Sequence, residues 1–449
     1  MSASALGPVR TGERISAIDT VRGFALLGIL LMNIPTFGLP EAAYMDPAVW
    51  GGGDPLNVWT MRLIYLFGEG KMRGIFSLVF GASVMLLLSR GEAKGGGLAP
   101  ADIYFRRTLW LMLFGMIHGY LIWWGDILFP YAFMALPLFA FRKASARALI
   151  VTGSVLIALL NVGMIADAFS KKNDHGKYLK AVEAEKKGAI LTAEQKSERA
   201  AWEKHVLEFQ SPPDKVRAEI DAYRGNYAAN MKPRAKSVWE FHRFPIYFPF
   251  FWDFFGMMLI GMGFFKAGVV TGERSNAFYW KMAGWGLLAG FAINGLDLYF
   301  MALHPGDAAR HVFDGAGYEL GRIPMSLAYI ALLILLVRAG SARWLTDRLA
   351  AVGQMAFSNY ISHSLICSVI FYGGYGFGMI GRLDRWQLYV VVLCIWTFNL
   401  VWSPIWLRHF HFGPLEWGWR SLTYWKRQPF RIRRDLPTPG PLEPEHASA

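Results

Sequence analysis

Runs of about 20 apolar residues recur along the chain, and they constrain its fold more than any other feature. A helix of that length crosses ~30 Å of hydrocarbon. In lipid each backbone N–H and C=O needs a partner inside the protein, so such runs are helical. About ten can be marked: Thr20–Leu39, Met72–Leu88, Phe105–Trp124, Ile127–Phe141, Ala148–Phe169, Phe244–Phe265, Met282–Leu303, Ile323–Val337, Gly353–Tyr372 and Trp386–Leu407. The fourth and eighth are short. Asn57–Phe67 reads as a half-helix or interfacial segment leading into the second. The pattern predicts an all-α, polytopic membrane helix bundle of about ten spans with a helical extramembrane insertion.

Composition agrees. The chain is 54% hydrophobic, 15% aromatic and only 18% charged, where a soluble domain carries ~25% charge. A net charge of +13 would suit a nucleic-acid binder, but the basic residues sit in short loops between apolar runs. Arg10 and Arg14, Arg90 and Lys94, Arg142 and Lys143, Lys266 and Arg274, Arg338 and Arg343, and Arg431, Arg433 and Arg434 all fall on one side if the spans alternate. Glu41, Asp46 and Asp54 fall on the other. Lys and Arg collect in cytoplasmic loops. Both termini are therefore expected in the cytoplasm, and the partner is a lipid bilayer rather than nucleic acid. Met1–Gly12 has no apolar core, so no cleaved leader is expected. Cys367 and Cys394 lie in apolar runs without metal or redox spacing, and no metal site is expected.

The chain divides into residues 1–169 with five spans, 170–240 as a soluble helical insertion, 241–410 with five more spans, and 411–449 as a cytoplasmic tail. The insertion is rich in Lys, Glu and Ala. Long loops are exempt from the positive-inside count, so its charge permits a periplasmic placement. It reads as a solvated cap or as a gating lid.

A charge at mid-bilayer costs about 2.5–3.5 kcal/mol on insertion scales, so ionisable residues within spans point to function. Asp19 and Arg22 share a helical face at the inner end of the first span. They read as an interfacial ion pair, and Gly23 beside them admits a close helix neighbour. Glu69, Lys71 and Arg73 lie at the outer end of the second span, among Gly68, Gly70 and Gly74. Glu69 and Arg73 are spaced to pair if the helix begins early enough. Asp253, Asp297 and His363 are further intramembrane ionisable residues.

"RISAIDTVRGFALLGILLMNI" resembles the opening helix of the DUF418 (YeiB-like) family of bacterial membrane proteins. "GEGKMRGIFSLVFGAS", "RRTLWLMLFGMIHGYLIWWGDILFPYA", "NYISHSLI" and "GPLEWGWRSLTYW" resemble its later blocks in the same order. The resemblance implies a multi-pass protein of the bacterial inner membrane. That family is similar, more distantly, to membrane acyltransferases: the acyltransferase-3 enzymes and the heparan glucosaminide acetyltransferase. Those relatives take an acyl-CoA from the cytoplasm and an acceptor sugar on the far side. The chain departs from both. Asn33 stands where the first-helix histidine of the acyltransferase-3 pattern would be. The loop Pro40–Leu56 contains no histidine.

His118 is the candidate substitute. An imidazole inside a bundle serves as general base, and it serves equally as a structural hydrogen-bond donor. Asp126 is eight residues on, ~12 Å along one unbroken helix, so the two meet only if the chain bends at Gly125. The candidate catalytic set is His118, Asp126 and Glu69. Asn33, Lys71 and Arg73 complete an outer polar pocket. Arg14, Arg22, Arg106 and Arg107 are the candidate binding set for the phosphates of an acyl-CoA donor, or are ordinary positive-inside charge. A small-molecule or glycan acceptor would complete acyl transfer. The alternative is a transporter of a small amphiphilic solute.

Overall fold

Helix α1 (Ser16–Gly38) runs through the middle of the bundle, touching α3, α12, α13, α14 and α15. Small residues let its neighbours approach. A Cβ on Gly23 would lie inside the Leu349 carbonyl of α13, and one on Gly353 inside the Asp19 carbonyl of α1. The predicted close approach at Gly23 is thus a mutual glycine crossing. The computed structural model describes residues 15–44, 49–50, 53–93, 98–209, 212–242, 244–303 and 318–432. Arg10, Arg14, Asp46, Lys94, Arg433, Arg434 and Met1–Gly12, where no leader is expected, lie outside them.

The remaining helices are α2 (Pro55–Phe67), α3 (Lys71–Ala93), α4 (Ala99–Leu121), α5 (Leu128–Leu138), α6 (Ala146–Lys186), α7 (Ala193–Phe209), α8 (Pro213–Arg224), α9 (Tyr227–His242), α10 (Phe244–Lys266), α11 (Asn276–Leu303), α12 (Tyr318–Ala339), α13 (Arg343–Gln354), α14 (Ala356–Phe371), α15 (Arg385–Leu407) and α16 (Pro414–Tyr424). Among the described residues the fold is all-α, with one isolated bridge between Phe410 and Arg431.

Each predicted apolar run overlaps a helix, although the third outruns α4 by three residues and the ninth straddles α13 and α14. Among the described residues five stretches are long and apolar enough to cross a membrane: Ser16–Gly38, Pro55–Ala93, Ala146–Lys186, Leu320–Ala339 and Arg385–Leu407. The apolar faces of α6 and α15 point outward, with Val151, Val155, Leu159 and Val162 on one and Val390, Leu393, Val401 and Ile405 on the other. Stripes of that size suit lipid rather than water. The half-helix expected before the second span is α2. It stops at Phe67, and the turn into α3 passes through Gly70 at φ 71°, a left-handed conformation that favours glycine.

The insertion does not begin at a break. Helix α6 runs unbroken through residue 170, because the Lys, Glu and Ala that follow are good helix formers. Helix α7 folds back on α6, where His175 stacks on Trp202 at 4.7 Å and Lys177 pairs with Glu198 at 3.0 Å. Helix α8 then sits on the end of the bundle. Val216, Ile220 and Tyr223 pack with Phe37, Trp123, Phe371 and Tyr372. Arg224 donates to the Ile380 carbonyl at 2.7 Å, and Gly373 N–H donates to the Tyr223 carbonyl at 2.8 Å. This is the cap end. The start of α1, the end of α3, the start of α4 and α16 form the opposite, tail end.

Candidate functional site

Helix α4 stops at Leu121, four residues before Gly125, and the chain crosses residues 122–127 without helical structure before α5. The cap holds this break open. The Leu121 carbonyl accepts from Tyr227 Oη and Arg234 Nη1, each at 2.7 Å. The turn brings Asp126 back against His118, with Oδ1 2.7 Å from Nδ1. Oδ2 of the same carboxylate accepts from Phe129 N–H at 2.7 Å, at the start of α5. Gly115 makes room, since a Cβ there would meet Phe129 N and lie 2.8 Å from Asp126 Oδ2. Both side chains are buried, at 1% and 0% exposure. A proton on Nδ1 shared with Asp126 leaves the lone pair on Nε2, and Nε2 is buried with no hydrogen-bond partner.

Tyr360 of α14 lies against the His118 ring at 5.1 Å, and its hydroxyl accepts from Ile127 N–H at 3.2 Å. On its other side Tyr360 lines a cavity of about 220 Å³ that opens toward the tail end. The cavity has an apolar interior of Phe76, Phe80, Ile127, Leu128 and Tyr131, and its charged lining is Arg22, Arg107 and Arg420 with the carboxylates of Asp19 and Glu416, a net positive mouth. Arg22 is fixed by Asp19 at 2.6 Å, Ser83 Oγ at 2.9 Å and the Gly353 carbonyl at 3.2 Å. The predicted Asp19–Arg22 pair is therefore present, and it faces a cavity. Arg107 lies over the Trp419 ring at 3.9 Å. Arg106 turns away: it pairs with Asp102 at 2.5 Å and does not line the cavity. Arg14 lies outside the described residues.

The cavity wall from α16 is locked by reciprocal capping. Glu416 is buried, and its Oε1 accepts from Phe357 N–H at 2.7 Å and Ser358 N–H at 3.1 Å, two free amides at the start of α14. Its Oε2 accepts from Ser358 Oγ. Ser358 Oγ in turn accepts from Leu415 N–H at 3.0 Å, a free amide at the start of α16. Burial pushes the Glu416 carboxyl pKa above its usual range, while the hydrogen bonds from Ser358 and Phe357 pull it down.

The model of the family described as Protein of unknown function (DUF418) matches residues 264–426. The Uncharacterized protein YeiB of Escherichia coli (strain K12) is 32% identical over 431 residues, covering 92% of this chain and 96% of that protein. The chain belongs to the DUF418 family. The Uncharacterized protein YxaH of Bacillus subtilis (strain 168) is 29% identical, covering 95% of this chain and 98% of that protein. An uncharacterized 39.9 kDa protein of Bacillus acidopullulyticus is 26% identical, covering 96% of this chain and 99% of that protein. No solved structure matches. The DUF418 match contains Gly353, Tyr360, Glu416, Trp419 and Arg420, one side of the cavity; His118, Asp126, Arg22 and Arg107 come from the chain before it.

The other predicted residues of this DUF418 protein do not join His118. Glu69 precedes α3, which starts at Lys71, so helical spacing to Arg73 is not available to it. It accepts from Tyr44 Oη at 2.8 Å and lines a separate cavity of about 30 Å³ with Arg385 and Tyr389. Arg73 pairs with Asp253 at 3.0 Å, and Arg322 clasps the same carboxylate. Lys71, buried, donates to Asn294 Oδ1 at 3.0 Å and the Tyr65 carbonyl at 2.7 Å. Tyr65 Oη donates to Asp297. Asn33 stays on α1, where its carbonyl accepts from Thr36. His363 Nε2 accepts from Asn399 Nδ2 at 2.6 Å between α14 and α15. The charges of Glu69, Asp297 and Arg322 act on Lys71, so Glu69, Lys71 and Arg73 remain electrostatic neighbours, while among the described residues no contact joins them to His118 or Asp126. Among the described residues no three His, Cys, Asp or Glu could hold a metal ion.

Sequence reasoning missed Tyr360, Glu416, Trp419 and Arg420 as site residues. The signal for the last three was the "GPLEWGWR" block, which turns out to be the α16 lock.

Proposed function

We propose that this protein passes an acyl group from an acyl-CoA in the tail-end cavity to a hydroxyl or amine acceptor at the cap end. The carrying observation is the buried His118–Asp126 pair with its free Nε2, one aromatic ring away from a cavity with an apolar interior and a cationic mouth. In this reading the acceptor gives its proton to His118 Nε2 as its oxygen or nitrogen bonds to the thioester carbonyl. The C–S bond breaks, and the leaving thiolate takes that proton back from the His118 imidazolium, which restores the neutral base. Asp126 fixes the tautomer and stabilises the imidazolium, as a carboxylate does in a hydrolase triad. His118 thus does the work of the histidines that the acyltransferase resemblance places elsewhere. The basic short loops support a cytoplasmic tail end in a bacterial inner membrane, with the cap outside.

A carrier is the second reading, favoured by the buried Arg73–Asp253–Arg322 and Lys71–Asn294 networks in the other half of the bundle. Purified protein in detergent, given labelled acetyl-CoA, separates the two. Saturable binding, with acyl transfer lost in His118→Ala, is the expected result. No binding at millimolar CoA, together with solute uptake by proteoliposomes, would establish the carrier.

A further inference from the structure

Among the described residues the cavity holds a guanidinium that no carboxylate meets at ion-pair distance, although the Glu416 charge acts on it from farther off. Arg107 lines the cavity, and among the described residues no hydrogen bond or ion pair engages its side chain. Arg22 differs, since Asp19 neutralises it. What holds Arg107 is an indole. The Trp419 ring centroid lies 3.9 Å from the guanidinium carbon, and Trp419 Nε1 donates to the Arg107 carbonyl at 2.9 Å, so one side chain engages both ends of the residue. Stacking fixes the plane of an arginine and leaves its fork of N–H donors to meet an oxyanion.

The position of Trp419 is set in turn by the α14–α16 lock. Glu416 is one helical turn before Trp419, and it fills the amides of Phe357 and Ser358. Phe357 also meets the Trp419 ring edge-on at 5.9 Å. The lock is fitted closely, because a Cβ on Gly413 would overlap Glu416 Oε2 and lie 2.7 Å from Ser358 Oγ. Arg420, next on α16, lines the same mouth.

We propose that Arg107, stacked on Trp419 and flanked by Arg420, is the receptor for a phosphate group of an amphiphilic ligand whose apolar part occupies the cavity. Glu416, which also lines the cavity, and Ser358 are positioning residues that hold this receptor in place. The proposal deepens the acyl-CoA reading and rests on it for the ligand used first, although phosphate on an apolar tail is equally the chemistry of a phospholipid.

The test titrates full-length protein in detergent with coenzyme A and with pantetheine, which lacks the phosphates. Phosphatidylglycerol retention by native mass spectrometry forms the second arm. A charge-assisted hydrogen bond sets the expected size: Arg107→Gln weakens coenzyme A binding about 10- to 100-fold and leaves pantetheine binding unchanged. Arg107→Lys, which keeps charge but not the fork, falls between. Glu416→Ala reproduces the Arg107→Gln pattern. Glu416→Gln, whose amide oxygen still accepts from Phe357 and Ser358, restores coenzyme A binding to within a few fold. Should Glu416→Ala not fold, Arg107→Gln on the cavity wall carries the test. Coenzyme A bound equally by wild type and Arg107→Gln overturns the receptor and leaves acyl transfer standing. Arg107-dependent retention of phosphatidylglycerol without coenzyme A binding keeps the receptor and removes the acyl-CoA donor. Neither ligand bound overturns both.

Discussion

Truncating His118 and Asp126 singly and together gives a double-mutant cycle whose outcome follows from their geometry. The pair is buried and in contact at 2.7 Å, so removing one partner strands a polar group where water does not reach. Breaking a buried pair costs about 3–5 kcal/mol. Asp126→Ala should cost more than His118→Ala by about 1–3 kcal/mol, because it also leaves Phe129 N–H without the acceptor it has at 2.7 Å. The double variant should fall short of the sum by about 1.5–3 kcal/mol, the contribution of a hydrogen bond to a charged group. Equilibrium unfolding in mixed micelles, followed by tryptophan fluorescence, supplies the four free energies. Additivity within ~0.5 kcal/mol would refute the contact, and with it the assignment of Asp126 as the group that orients the base.

Gly23→Val drives a side chain into the Leu349 carbonyl at the α1–α13 crossing; overpacking there costs about 1–3 kcal/mol or more, read as loss of the monodisperse peak in size-exclusion chromatography. Gly163→Val is the control, since a Cβ at Gly163 has nothing within 4 Å, and its peak should be unchanged. Cap docking should weaken as pH rises. Burial, with the neighbouring Glu41 carboxylate adding to it, raises the Glu219 carboxyl from 4.5 to about 7 against the pull of the Glu41 N–H. The docked state therefore binds the proton more tightly than the undocked one, so docking is firmest below about pH 4.5 and loosens progressively up to about pH 7. Hydrogen exchange in α8 should be faster at pH 8 than at pH 5 beyond the intrinsic pH effect, and Glu219→Gln should abolish that difference.

The bundle was legible because apolar run length reports directly on the thickness of a bilayer. The Asp19–Arg22 pair was legible for a similar reason: three residues on a helix is a short-range geometry. The rest depended on contacts that spacing does not encode. The α4 break at Leu121 is held by Tyr227 and Arg234, 106 and 113 residues away, whereas sequence offered only Gly125 as a bend. Glu69 groups with Asp126 and Asn33 in the sequence because all three fall at one outer level, but depth along a span does not give direction around it, and Glu69 faces Tyr44 and Arg385 instead. Arg106 and Arg107 are adjacent in sequence, yet only the second meets the cavity, because consecutive helical residues point about 100° apart. Glu416 finds its partner 58 residues back, at a helix start that no local pattern ties to it.

In the proposed function a thioester enters at the tail end and meets a base held under the cap. The decisive assay uses proteoliposomes in which the tail ends face one known compartment, with acetyl-CoA supplied on that side alone, an acceptor on the other, and release of free thiol followed over time. Thiol release that requires the tail-side supply and falls by at least 100-fold in His118→Ala, on the scale of a lost general base, is the predicted result. Release that proceeds equally from the cap side, or that survives the loss of His118, would contradict it.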